Sequence, residues 1–198
     1  MRRVVGVLLA AGSSRRFGSN KLLAPLADGT PLAVAAASRL IAAVPETIAV
    51  VRPGDTALAA LLAGKGLQIV ECADAVCGMG HSLAAGIAAA STADAWLVAL
   101  ADMPSIKTST IAGLVAQLHA GSALVAPFHA GRRGHPVGFA SGFREELLAM
   151  RGDAGARDLL ARLAASLTRF DVDDPGILLD VDKPGDLLVQ PAAGLVRQ

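Results

Sequence analysis

The stretch Val4-Val5-Gly6-Val7-Leu8-Leu9-Ala10-Ala11-Gly12-Ser13-Ser14-Arg15-Arg16-Phe17-Gly18-Ser19-Asn20-Lys21 decides how the rest of the chain is read. From Arg3 to Leu9 it is continuously apolar and rich in β-branched residues, the pattern of a parallel strand covered on both faces. It then turns abruptly into a glycine-containing polar segment. Glycines let the backbone come close to a ligand, and successive amide N–H groups form a concavity that holds anions. Arg16 and Lys21 supply positive charge suited to phosphates, arginine as a fork and lysine as a point charge. The segment is not a Walker A loop, because the glycine spacing differs and Leu22 follows Lys21; nor is it GxGxxG. An ordinary βα loop with solvated basic residues has the same composition.

Working outward, strands alternate with helices. Thr30 as N-cap and Pro31 in the first turn predict a helix to about Ala43. Strands are expected at Thr47–Val51, Gln68–Glu71, Ala95–Ala101, Ala123–Pro127 and Leu167–Asp171. Helices are expected at Thr56–Ala63, ended by Gly64, at Thr108–His119, and from Ser82, as cap, to about Ala90. Residues 128–140, with Gly131, Gly134 and Pro136, read as a hairpin-like excursion. Helical stretches follow at about Ser141–Met150 and Ala156–Ala164, with a short one from Pro184. This order predicts an α/β fold: one doubly wound, mostly parallel sheet with helices on both faces. We expect a single domain over 1–190 and a frayed tail over 191–198.

Composition narrows the function. The chain has 198 residues, 53% of them hydrophobic and 18% charged, so it can bury a large core. A net charge of +1 gives no overall pull toward nucleic acid or an anionic membrane, and neither is an expected partner. No apolar run approaches the ~20 residues that cross a bilayer. Met1-Arg2-Arg3 before an apolar run looks like a signal peptide, but the patterned polar segment after it fits a retained strand and loop. Cys72 and Cys77 match neither a CxxC pair nor a zinc cluster and fit reduced thiols. The expected location is cytoplasmic.

In doubly wound sheets ligands sit at the carboxyl ends of the strands. Three unusual segments follow predicted strands directly: Ala10–Lys21, Cys72–Ser82 and Asp102–Pro104. They should converge on one edge. Gly78-Met79-Gly80-His81-Ser82-Leu83 reads as a strand-to-helix turn offering free helix N–H groups to an anion. Asp102 ends an apolar strand beside the crevice, where a hard carboxylate suits Mg²⁺; it could equally cap the next turn.

LAAGSSRRFGSNK resembles LAAGxSxRxGxxK, the signature of the molybdenum cofactor cytidylyl- and guanylyltransferase group of nucleotidyltransferases, and the likeness runs to about Leu188. The resemblance implies a Rossmann-like nucleotidyltransferase fold. It implies that Leu9, Ala10, Ala11, Gly12 and Ser14 contact the nucleotide, with Arg16 and Lys21 on its phosphates. Gly80 and Ser82 lie in a match to GMGxSL, which lies against the nucleotide. Asp102 takes the metal role, and Asp182, in Asp180-Val181-Asp182-Lys183-Pro184, matches the second metal ligand of a DIDTPEDL element. Here Lys183 replaces Thr and Gly185 replaces Glu, and an Asp before Pro also suits a helix start. His135 and Pro136, in a GxPxxF match, and Gly155 and Arg157, in a GDxGAR match, fall to the acceptor; turn chemistry explains the same residues.

The implied reaction is transfer of CMP from CTP to a phosphorylated acceptor, molybdopterin carrying molybdenum, with Mg²⁺ as cofactor and Arg16, Lys21 and Asp102 as the catalytic set. A molybdenum hydroxylase would receive the product. Relatives that use GTP carry LAGG, so Ala11 tilts the choice toward CTP. The alternatives are a GTP-using or sugar- or alcohol-phosphate enzyme of the same fold, a non-catalytic cofactor carrier, and a dinucleotide-dependent oxidoreductase.

Overall fold

In the computed structural model of the chain, the apolar run after Arg3 forms β1 (Val4–Leu9) in the interior of a sheet that has eight strands among the described residues. The structure describes residues 1–12, 17, 20–152, 155–163 and 166–188, of which 155–158 and 188 by backbone alone. The expected tail, 191–198, lies outside the described residues. Along β1 the side chains alternate between two cores: Val5, Val7 and Leu9 enter one, Leu8 and Ala10 the other. This double burial is why the strand reads as unbroken hydrophobicity.

β2 (Thr47–Val51), β3 (Gln68–Glu71) and β4 (Ala95–Leu100) run parallel with β1. The remaining strands are β5 (Leu124–His129), β6 (Arg132–Arg133), β7 (Val137–Ala140) and β8 (Thr168–Asp171). The hydrogen-bonded order is β3-β2-β1-β4-β7-β5, with β6 and β8 both paired to β5. β7 is antiparallel to β4 and to β5, so β5 resumes the direction of β4. One core face is covered by α1 (Leu32–Ala43), α2 (Thr56–Ala63) and α4 (Thr108–His119). The other is covered by α3 (Met79–Ala89), α5 (Arg144–Leu148) and α6 (Gly155–Arg162). Trp96, fully buried on β4, satisfies its indole N–H on the Ala90 carbonyl at 3.1 Å.

The expected doubly wound, mostly parallel sheet is therefore present, with three corrections. Residues 128–140 are not a mere excursion, since they return as β7, an interior strand buried along its length. Thr30 does not cap α1. Its carbonyl accepts from the Leu26 N–H and its own N–H donates to Asp28, so residues 25–31 form a closed turn and Pro31 takes the cap position. Nor does Ser82 cap α3: Gly78, at φ 123°, starts the helix nearly a turn earlier and leaves Ser82 buried inside its first turn. Cys72 is buried, Cys77 exposed, and both are free thiols. No helix among the described residues is long and apolar enough to cross a membrane.

The approach of α3 to the sheet depends on Gly86. A Cβ there would stand 2.5 Å from Val7 Cγ1 and 3.0 Å from Val50 Cγ2. Alanine would add about 1 kcal/mol of helix propensity, but stiff β-branched side chains cannot yield enough to admit it. Gly86→Ala is expected to lower stability by about 1–3 kcal/mol in urea denaturation; a stabilised variant would contradict this packing.

Candidate functional site

The polar segment after β1 ends at Asn20, which caps a short 3-10 turn over Lys21–Leu23. Its side chain accepts from the Leu22 N–H at 3.2 Å and donates to Asp55 Oδ2 at 2.7 Å. Leu22 is buried in the core beneath. Anchored on both sides, Lys21 extends its ammonium to three acceptors: Asp102 Oδ2 at 2.9 Å, the Val181 carbonyl at 2.7 Å and Asp182 Oδ1 at 3.3 Å. Asp102 lies just past β4, where the Ala101 N–H donating to the Leu9 carbonyl carries the β1–β4 alignment beyond the strand ends. The two segments after β1 and β4 thus converge on one edge.

Asp182 arrives from far along the chain, held by its own backbone. The Val181 N–H donates to the Asp102 carbonyl at 3.0 Å, and the N–H groups of Asp182 and Lys183 both donate to Asp186 Oδ2. These bonds hold the Asp186 carboxyl below its usual range. Upstream, Asp174 is almost wholly buried. It accepts from the Lys107 N–H at 2.8 Å, the Thr110 hydroxyl at 2.7 Å and the Gly176 N–H at 3.0 Å. It therefore pins the start of the 174–182 segment to the amino-terminal turn of α4.

Burial alone would lower the pKa of Lys21, but the hydrogen bond and charge of Asp102, joined by Asp182, overcome it and hold the ammonium above its ordinary value. One ammonium against two carboxylates leaves the cluster a single negative charge. Asp102 Oδ1 is buried with no hydrogen-bond partner among the described residues, a costly state for a carboxylate oxygen. Among the described residues no group of three or more His, Cys, Asp or Glu could hold a metal. The donor set nonetheless fits Mg²⁺, which uses one or two carboxylates and takes its other oxygens from water and phosphates. Such an ion would satisfy Asp102 Oδ1 and turn the cluster positive.

The remaining expected residues are placed as follows. Leu9, Ala10 and Ala11 are buried, and the Ala10 N–H donates to the Val50 carbonyl, so their side chains belong to the core. Gly12 is exposed, with open space around it. Ser14 and Arg16 lie outside the described residues. At the start of α3 the Gly80 N–H is not free for an anion; it donates to the Gly152 carbonyl at 2.8 Å, and His81 Nδ1 accepts from the Gly152 N–H at 3.4 Å. A Cβ on Gly80 would strike that turn. The Gly80 segment and the Gly152 turn, which leads toward Gly155 at the start of α6, are thus in contact. The side chain of Arg157 lies outside the described residues.

His135 donates its backbone N–H to the Ile177 carbonyl, and a cis bond joins it to buried Pro136. Its Nδ1 is enclosed and unpartnered among the described residues. Burial, then the charge of Arg133, pushes the imidazole down to about 4, while Asp102 pulls the other way. The ring is neutral at physiological pH and lies within the electrostatic reach of Asp102. Sequence reasoning missed Asn20, Asp174 and the Val181 carbonyl. The turn-forming run Asp173-Asp174-Pro175-Gly176 was a signal for Asp174; a main-chain carbonyl leaves none.

Residues 6–167 match the profile of the MobA-like NTP transferase domain. Nicotine blue oxidoreductase of Paenarthrobacter nicotinovorans is 35% identical over 90% of this chain and 92% of its own. Purine catabolism protein PucB of Bacillus subtilis (strain 168) is 32% identical over 91% of this chain and 92% of its own. Among solved structures, Rv0371c of Mycobacterium tuberculosis H37Rv superposes with a TM-score of 0.82 at 25% identity, covering 95% of this chain and 97% of that one. The same protein has been solved in complex with manganese, at a TM-score of 0.79, 24% identity and coverage of 97% and 100%.

Removing the Asp174 carboxylate would leave three donors unpaired. Asp174→Ala is expected to cost about 3 kcal/mol of stability in denaturant titration. A loss below about 0.5 kcal/mol, within the range of an ordinary surface change, would show that Asp174 does not hold the late segment.

Proposed function

The chain belongs to the MobA-like NTP transferase family, and from that membership we propose that it transfers CMP from CTP to molybdenum-loaded molybdopterin, a phosphorylated acceptor, with release of pyrophosphate. The observation that carries this reading is the Lys21–Asp102–Asp182 cluster, with Asp102 Oδ1 buried and without a partner among the described residues. Asp102 and Asp182 would hold Mg²⁺, which when bound supplies charge neutralisation and Lewis acidity to a triphosphate. In the reaction an acceptor phosphate oxygen forms a bond to the α-phosphorus and the bond to the β-phosphate oxygen breaks. The chain's own part is positioning and electrostatics. Lys21, kept charged by its two carboxylates, takes up charge on the departing pyrophosphate, joined by Arg16. The acceptor monophosphate is already largely ionised near pH 7, so no residue must remove a proton.

Leu9, Ala10, Ala11, Gly12 and Ser14 are assigned to the nucleotide, and the burial of the first three leaves their backbone as the contact surface. The choice of CTP rests on Ala11. Gly80 and Ser82 are likewise assigned to the nucleotide side; Gly80, whose N–H is taken by the Gly152 carbonyl, would act by shaping the turn. His135, Pro136, Gly155 and Arg157 are assigned to the acceptor side. The names of both curated relatives concern nitrogen heterocycles, which fits a product destined for a molybdenum hydroxylase acting on such rings.

A second reading, a nicotinamide-dependent oxidoreductase, is favoured by the name of the relative from Paenarthrobacter nicotinovorans. The absence of GxGxxG after β1 weighs against it.

Pyrophosphate release by purified protein with Mg²⁺ and molybdenum-loaded molybdopterin, compared across CTP, GTP, ATP and UTP, separates these readings. We expect release with CTP alone. Release with GTP alone would keep the reaction and overturn the role of Ala11. No release with any of the four, together with oxidation of reduced nicotinamide by a heterocyclic acceptor, would replace transfer with redox chemistry.

A further inference from the structure

β6 and the residues after it hang over the same sheet edge as the Lys21 cluster. β5 runs in the direction of β1 and β4, so its carboxyl end, the Ala130–Gly131 turn and β6 all project on that edge. Along the sheet the order is β1, β4, β7, β5, which sets Asp102 between the segment after β1 and this hairpin. The turn is tight, with positive φ at both Ala130 (49°) and Gly131 (79°), and it fixes the register: His129 opposite Arg132, Phe128 opposite Arg133. Gly134 continues the ladder to the Pro127 carbonyl and faces Ile177, while Phe128 packs on the core under α3. Alternation therefore sends Arg133 to the α3 side of the hairpin and Arg132 to the other.

The arginine side chains of this hairpin are exposed and make no hydrogen bond or ion pair among the described residues. Arg3 and Arg169, by contrast, are paired with Glu46 and Asp171. Two residues beyond Arg133 and on the same face, the His135 ring is half-buried, with no hydrogen bond among the described residues and its Nδ1 out of contact with solvent. A half-buried imidazole and a guanidinium on one face, both without a partner among the described residues, suit a ligand rich in acceptor oxygens. We propose that Arg133 binds the acceptor's phosphomonoester in a fork, with the His135 ring as a second contact, on the side of Asp102 away from the segment after β1. This deepens the nucleotidyltransferase reading and rests on it. It accounts for how a second anion is brought beside a triphosphate: Lys21 is assigned to the triphosphate, so the acceptor needs a separate cation. A neutral imidazole adds a hydrogen bond without adding charge to the metal end of the site.

The test uses inorganic phosphate as probe, titrated by calorimetry at low ionic strength, first alone and then with the nucleotide site filled by CTP and Mg²⁺. Wild type is expected to keep one phosphate site when CTP is present. Arg133→Ala should weaken that site at least tenfold, Arg133→Lys should restore part of the loss, and Arg132→Ala, on the opposite face, should change it less than threefold. CTP affinity and the thermal midpoint should be the same in all three variants. Phosphate affinity unchanged in Arg133→Ala, an equal loss in Arg132→Ala, or no phosphate site in wild type would each overturn the proposal. If wild type fails to bind CTP, the CTP reading fails by itself, and loss of phosphate binding to the nucleotide-free protein in Arg133→Ala but not Arg132→Ala still supports the role of Arg133.

Discussion

The contact on which the site depends is the Lys21 ammonium held among Asp102, the Val181 carbonyl and Asp182. It joins three parts of the chain: the segment leaving β1, the end of β4 and a stretch beyond β8. Two carboxylates brought together in a half-buried place repel, and each loses hydration. The ammonium between them offsets both terms, so the negative site can exist without a metal. The arrangement is also incomplete, since Asp102 Oδ1 has no hydrogen-bond partner among the described residues. Divalent metal and triphosphate would supply what is missing, and Lys21 would then turn from carboxylate partner to phosphate partner.

Close packing positions this cluster. Gly86 brings α3 against β1 and β2, Gly80 brings the start of α3 against the Gly152 turn, and Gly176 sits on the Ser105 carbonyl. Asp174 fixes the late segment to α4. The reversal at β7 then gives the edge two sides, the parallel half carrying the segment after β1 and the antiparallel half carrying the hairpin. That division suits the proposed reaction between two anionic substrates, which would be held separately on the two sides of Asp102.

Much of this was legible in the sequence. α2 and α4 begin and end where periodicity and Gly64 place them, and β1 is evident because burial on both faces leaves no polar position in it. Asp102 was identifiable as a candidate because it lies just past a strand, and Lys21 because it ends the patterned polar segment that follows β1. What escaped is what depends on distant partners. β7 is four residues long, and its place between β4 and β5 is set by pairing with Ala95–Val98 and Leu124–Val125, not by its own pattern. Ser82 looked like a cap because serine favours that role, yet Gly78 starts the helix first. Asp174 and Arg133 acquire their meanings only once the chain has folded back and the hairpin register is set.

Whether Asp102 anchors a metal–triphosphate site can be read by titrating Mn²⁺ with CTP into the protein and following free Mn²⁺ by electron paramagnetic resonance. Wild type is expected to take up Mn²⁺ tightly in the presence of CTP. Asp102→Asn, with an unchanged thermal midpoint, should lose at least tenfold in that affinity, about the worth of one charged contact. Equal uptake by the two proteins would contradict the account and move the metal away from the Lys21 cluster.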